Sequence, residues 1–101
     1  MSKYVSIITV TYINSSEAIA SQALAENMME KIALDNGCDR VRCYLSGEVT
    51  RLIVFEYNEE KIQKKVIDAL KNYTEIHKNA FTHKMTSVRG KLLSDSHVNN
   101  L

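Results

Sequence analysis

The order of hydrophobic patterns along this chain predicts an α+β fold: a four-stranded antiparallel sheet with two helices on one face. Three observations predict it. The stretch 37–57, GCDRVRCYLSGEVTRLIVFEY, reads as a β-hairpin; a long helical pattern lies on each side of it; and one more strand pattern lies outside each helix. The resulting β-α-β-β-α-β order is that of the ferredoxin-like sandwich, two βαβ halves around a central hairpin.

The hairpin rests on two runs, 39–45 and 49–57, rich in β-branched and aromatic residues. Ser46-Gly47-Glu48 between them is turn chemistry, with Gly47 free to take positive φ. A three-residue loop there places Leu45 opposite Val49 and Val41 opposite Ile53. One face then carries Val41, Cys43, Leu45, Ile53 and Phe55, and the other Arg40, Arg42, Tyr44, Leu52, Val54 and Glu56. A two-residue loop would mix the faces, so the pattern favours the odd loop. The second face mixes charge with apolar groups. It reads as a half-exposed face with an Arg–Glu cross-strand pair, or as a face covered by a second subunit.

The first strand is expected over 4–13. Val5, Ile7, Thr9, Thr11 and Ile13 share one face, and Tyr4, Ser6, Ile8, Val10 and Tyr12 share the other. Asn14 fits a helix N-cap with Glu17 three residues on, although Ser15 and Ser16 fit as well. The helix is expected to run to about Asp35, where Asn36-Gly37 is a stop signal. Ala20, Leu24, Met28 and Ile32 make its core stripe, with further alanines keeping it thin. After the hairpin, Asn58 is expected to cap a second helix, and Glu59-Glu60 suit its positive end. Ile62, Val66, Ala69, Leu70, Tyr73, Ile76 and Ala80 fall on one side of it, with five lysines mostly opposite. A fourth strand is expected at 84–92, with Arg89-Gly90 marking its end or a bulge. Residues 1–93 form the expected domain, and 94–101 a polar C-terminal tail.

Composition limits the function classes. A length of 101 residues suits one domain with one core. Net charge is +1 with both signs mixed, against nucleic-acid binding driven by bulk charge. Cys38 and Cys43 point to opposite faces of an extended strand, so a bond between them is not expected. No apolar run approaches the ~18 residues of a membrane span, and MSKYVSIITV reads as a strand rather than a signal peptide. The expectation is a cytoplasmic protein without membrane or nucleic-acid partners. There is no glycine fingerprint for a nicotinamide or flavin cofactor and no specific metal motif.

In this fold the sheet face away from the helices is bare in a monomer. The alternation assigns Tyr4, Ile8, Val10, Tyr12, Tyr44, Leu52 and Val54 to it, a sizeable apolar patch. The expected partner is therefore a second copy of the chain, docked through the sheet face.

Two stretches carry a family resemblance: Asn36-Gly37-Cys38 after the long first helix, and TRLIVFEYNEEKI over 50–62, a strand ending in Glu before an acidic helix start. With the element order, they resemble the antibiotic biosynthesis monooxygenase-like group of the dimeric α+β barrel proteins. That resemblance implies a homodimer with a small-molecule pocket between sheet and helices. It also implies a possible cofactor-independent monooxygenase acting on an aromatic or quinol-like substrate, whose anion the pocket stabilises. Ligand-binding candidates are Tyr12, Asn14, Arg42, Tyr44, His77 and His83; each also has an ordinary reading as a core aromatic, a cap or a surface charge. Some members of the group bind haem through a helix His with a nearby Trp and Asn. EIHKNA over 75–80 looks like that stretch, with His77 as axial ligand; this chain has no Trp, and Asn14 sits where capping explains it.

Other classes share the element order. The opening ITVTYINSSEAIASQALAENMMEKIA resembles trimeric ion-tolerance proteins, a non-enzymatic alternative that lacks here its tryptophan and proline features. An RNA-binding reading needs glycine and stacking aromatics in RLIVFEY, which has no glycine. Acylphosphatase-like catalysis needs a Gly-rich loop where TYINSSEA stands.

Overall fold

The computed structural model describes residues 2–98. Strand β1 (Tyr4–Tyr12) leads into α1 (Ser15–Leu24), which passes through a π-helical turn (Ala25–Met29) into α2 (Glu30–Asp35). Strands β2 (Arg40–Ser46) and β3 (Thr50–Tyr57) form the hairpin. Helices α3 (Glu60–Ala69) and α4 (Lys71–Ala80) precede β4 (His83–Lys91). The sheet order is β2-β3-β1-β4, with every neighbouring pair antiparallel. This is the ferredoxin-like arrangement that the element order predicts. No helix among the described residues is long and apolar enough to cross a membrane.

The ends of the first long helix follow local chemistry. The Asn14 side chain accepts from the Glu17 backbone N–H at 2.9 Å, so Asn14, not Ser15 or Ser16, is the N-cap. At the other end the Cys38 N–H returns to the Ala33 carbonyl at 3.1 Å across Gly37, whose φ is +104°. The positive φ strains any other residue there, and a Cβ on Gly37 would also press on the tip of Ile62, at 2.8 Å from Cδ1.

The helical core lines differ from the expected ones. Ala18, Ser21, Ala25, Met29 and Ala33 are the buried line of α1–α2; Leu24, Met28 and Ile32 flank it and Ala20 is exposed. Small residues on the contact line let the helix lie close to the sheet, and larger ones seal its sides. The second helix is broken at Leu70 rather than continuous, and Glu59 with no side-chain bond, not Asn58, occupies its N-cap position. Its buried line is Val66, Leu70, Tyr73 and His77, while Ile76 is exposed. His77 thus joins the buried line, and the expected Ile76 and Ala80 do not.

The hairpin loop is odd, as expected, but consists of residues 47–49. Val41 pairs with Phe55, Cys43 with Ile53, and Leu45 with Arg51. That register is two residues from the expected one, and a shift of two leaves every side chain on its face. Ser46 pairs with Thr50, and Gly47 starts the turn at φ +69°. Arg42 meets Glu56 at 2.8 Å, the expected cross-strand pair. Gly90 pairs with Val5 in regular register, so β4 has no bulge there.

One face assignment is corrected. Tyr4, Ser6, Ile8 and Val10 pair with Tyr57, Phe55, Ile53 and Arg51, the buried residues of β3, and so lie on the helix side with Tyr12. The bare face instead carries Val5, Ile7, Thr9 and Thr11 beside Leu52 and Val54. Both sides of β1 are part apolar, so its composition did not separate them. The tyrosines decide the matter: Tyr12 and Tyr57 find hydroxyl partners only inside, at His77 and Ser6. The bare face remains rich in apolar groups, with Tyr44 and Val88 about half exposed or more.

Candidate functional site

The chemistry of the helix side gathers around Arg51. On β3 it is in phase with Ile53, Phe55 and Tyr57, so the pleat drives a guanidinium into the core, where it is 2% exposed. Its Nη1 donates to Tyr12 Oη at 3.1 Å and to Ser21 Oγ at 2.9 Å. Its Nη2 donates to Gln22 Oε1 at 2.6 Å and faces Cys43 Sγ at 3.9 Å. All of these partners are neutral. Among the described residues no ion pair within 4.0 Å includes Arg51, and its Nε is buried with no acceptor. An isolated buried cation costs several kcal/mol of solvation, roughly, and such a group is ordinarily paired.

Hydrogen-bond direction follows from Arg51. A guanidinium only donates, so Tyr12 Oη accepts from it, which leaves the Tyr12 proton free to go to His77 Nε2, 2.7 Å away. With that direction assigned, the neutral His77 carries its hydrogen on Nδ1. Burial, helped by His83 and by Arg51, pushes the His77 pKa down to about 4. Aromatic rings close around it: Tyr12, Tyr73, Phe81 and His83 lie 4.5–6.0 Å away between centroids. Burial pushes the Tyr73 hydroxyl up to about 12, against the pull of Arg51, so it stays protonated. Burial likewise raises the Cys43 thiol, which remains a thiol.

Arg51 borders a cleft of about 450 Å³ between α1 and the β2 edge. Ala18, Ile19, Ala23 and Leu45 give it apolar walls, Gln22 and Cys43 stand near the guanidinium, and Tyr44 lines its outer edge. A larger cleft of about 640 Å³ opens between α3 and β4, with Arg89 on its wall. Size alone would favour it. We place the site at Arg51, because Arg89 is exposed, donates to Gln63 Oε1 at 3.0 Å and so is not a desolvated cation.

The sequence candidates divide. Tyr12, His77 and His83 come together beside Arg51, with His83 Nδ1 held at 2.9 Å by the Phe81 carbonyl. Tyr44 reaches the cleft from the edge strand. Arg42 lies on the bare face with Glu56, and Asn14 is an exposed cap; neither joins the cluster. Arg51, Ser21 and Gln22 were not among the candidates. The signal for Arg51 was present, as a charge in phase with the apolar residues of β3. Ser21 and Gln22 gave none beyond their place on the helix.

A haem on His77 would need a free ring nitrogen facing an open slot. Nε2 is occupied by Tyr12 and the ring is enclosed by aromatics, so these residues do not fit a haem.

No protein-family model matches the chain, and no curated protein matches it. Solved structures do. A monooxygenase from the gene ActVA-Orf6 of Streptomyces coelicolor, in complex with the ligand nanaomycin D, superposes with a TM-score of 0.80 at 10% identity, covering 97% of this chain and 94% of that chain. A dimeric ferredoxin-like protein from an uncultured marine organism gives 0.79 at 13% identity, covering 98% and 95%. A candidate antibiotic biosynthesis monooxygenase from Nitrosomonas europaea gives 0.74 at 9% identity, covering 96% and 97%. At such identities the likeness is one of fold. This chain is a ferredoxin-like α+β protein whose structural neighbours include antibiotic biosynthesis monooxygenase-like and dimeric ferredoxin-like proteins.

Proposed function

We propose that this protein binds a small phenol- or quinol-like aromatic at the Arg51 cleft and oxygenates it without a cofactor, as a cytoplasmic homodimer. The observation that carries the reading is the buried guanidinium, which has only neutral partners and borders a cleft with apolar walls. A preorganised cation held out of water favours a substrate in its anionic form over the neutral one. An anion is also what reacts with O₂ unaided. For an anthrone-type substrate, the enolate gives one electron to O₂, and the carbon radical and superoxide join as a peroxide, which is protonated. Loss of water leaves a carbonyl, so a CH₂ group and O₂ become C=O and H₂O. Likeness of fold to the Streptomyces monooxygenase supports the same reading.

The activity test is aerobic incubation with an anthrone, following oxygen uptake and the quinone absorbance. The expected result is turnover above the buffer rate, lost in Arg51→Met. Equal rates with and without protein would remove the oxygenase reading.

The dimer rests on the bare face, where Val5, Ile7, Leu52, Val54 and Val88 leave an apolar surface a second sheet would cover. The uncultured-marine neighbour is itself described as dimeric. The two free thiols, Cys38 and Cys43, favour the cytoplasm. Light scattering should give about twice the 11.5 kDa chain mass. A trimer would favour the non-enzymatic ion-tolerance-type assembly, and a monomer would contradict both.

A further inference from the structure

We infer that Gln22 is a displaceable cap on Arg51, and that the cleft selects an organic monoanion whose ionised oxygen replaces the Gln22 amide oxygen at Nη2. This deepens the proposed function and rests on its placement of the ligand at Arg51.

The two ends of the guanidinium differ. Nη1 is held by Tyr12 and Ser21, both buried and both engaged elsewhere: Ser21 donates to the Ala18 carbonyl at 2.8 Å, and Tyr12 to His77. That end is fixed. Nη2 points to the cleft, where its partners are Gln22 and the Cys43 sulfur, both part-exposed. A thiol at 3.9 Å is a weak acceptor, so one neutral amide oxygen carries the open end of a buried cation.

Gln22 is built to leave without loss. Its amide nitrogen already donates to Glu26 Oε1 at 3.1 Å, at the exposed surface. When the amide oxygen swings out, water satisfies it and Glu26 still holds the nitrogen. Glu26 lies in the π-helical turn, a local irregularity of the kind that recurs at functional sites. An incoming phenolate or carboxylate oxygen gives Nη2 a charge-assisted bond in place of a neutral one, and supplies the missing countercharge. Ile19, Ala23 and Leu45 receive the apolar body. Glu26 on the rim and Glu30, 4.0 Å from Cys43 Sγ, repel a second negative charge, which is why the ligand is a monoanion.

Two substitutions at one position test this in opposite directions. Gln22→Ala removes the cap, and Gln22→Glu keeps its shape and supplies an internal anion. The probe is 4-nitrophenol, whose ionised form absorbs in the visible, with 4-nitroanisole as its uncharged counterpart. The wild-type protein should bind 4-nitrophenol in the ionised form, at a pH where the free probe is largely neutral. Gln22→Ala should bind it more tightly by a few-fold. Gln22→Glu should weaken binding by about tenfold or more and raise Tm, because the site is filled from within. Equal affinity for 4-nitroanisole, no bound phenolate in the wild type, or unchanged binding in Gln22→Glu would overturn the inference. The two proposals fail separately. A bound phenolate displaced by Gln22→Glu, with no anthrone turnover, removes the oxygenase and keeps the anion site. Anthrone turnover unaffected by Gln22→Glu keeps the oxygenase and removes the cap.

Discussion

Arg42 and Arg51 belong to one hairpin and meet opposite fates. Arg42 stands on the bare face of an edge strand, half exposed, with Glu56 at 2.8 Å. Arg51 stands on the helix face, 2% exposed, with hydroxyl, amide and thiol groups around it and, among the described residues, no ion pair within 4.0 Å. The same side chain is a solvated half of an ion pair in one place and an uncompensated charge in the other. Pleat parity, with the inner place of β3 in the sheet, separates them. The first arrangement is ordinary for a sheet surface; the second carries a desolvation cost that its neutral partners offset only in part.

The comparison breaks first at Arg51 itself. Tyr12, Ser21 and Gln22 each keep another partner without it, His77, Ala18 and Glu26 respectively. Arg51→Met fills most of the space and removes the unpaired charge. It should raise the unfolding free energy by about 2 kcal/mol in urea denaturation. A loss of that size would make Arg51 a structural residue.

His77 gives the next effect, through pH. Its folded pKa of about 4 lies below the ordinary 6.5, so the unfolded chain binds more protons between these values. Its contribution is complete above pH 6.5 and is lost progressively as pH falls from there through 4, on the order of 3 kcal/mol in all. Thermal unfolding from pH 7 to 4 should show the decline. His77→Gln, which keeps an acceptor for Tyr12, should flatten it; an equal slope in the variant would assign the decline to other groups.

Tyr12→Phe sharpens the picture of the cluster. It removes the donor to His77 Nε2 and one acceptor of Arg51 Nη1, for an expected loss of about 1 kcal/mol. No change in the denaturation midpoint would mean the Tyr12–His77 bond contributes nothing net. The smallest effect belongs to Arg42. Because its pair with Glu56 is half exposed, Arg42→Ala should change monomer stability by less than about 1 kcal/mol. A larger loss, measured where the protein is monomeric, would erase the contrast between the two arginines.

The fold was readable because its determinants are local and periodic. Asn14 caps and Gly37 stops the first helix, Gly47 turns the hairpin, and alternation set both hairpin faces even though the register moved by two. The facing of β1 was not readable. Tyr4, Ile8 and Val10 are no more apolar as a set than Val5, Ile7 and the threonines around them, and only long-range pairing with β3 chooses between the sets. The site was half readable. Tyr12, His77 and His83 are residue types that invite attention, and the fold brings them together. Arg51 was hidden because a charged residue near a turn reads as solvated; only its phase with Ile53 and Phe55 says otherwise. Ser21 and Gln22 matter through what lies beneath the helix, which no local pattern encodes.

The most direct test is a ¹⁵N–¹H spectrum of the guanidinium and amide side chains, recorded while 4-nitrophenolate is added. The account predicts that the Arg51 and Gln22 side-chain signals move together and saturate, while those of Arg42 stay in place. Shifts at Arg42 and along Leu52 and Val54, with Arg51 unmoved, would put the ligand on the bare face and contradict the account.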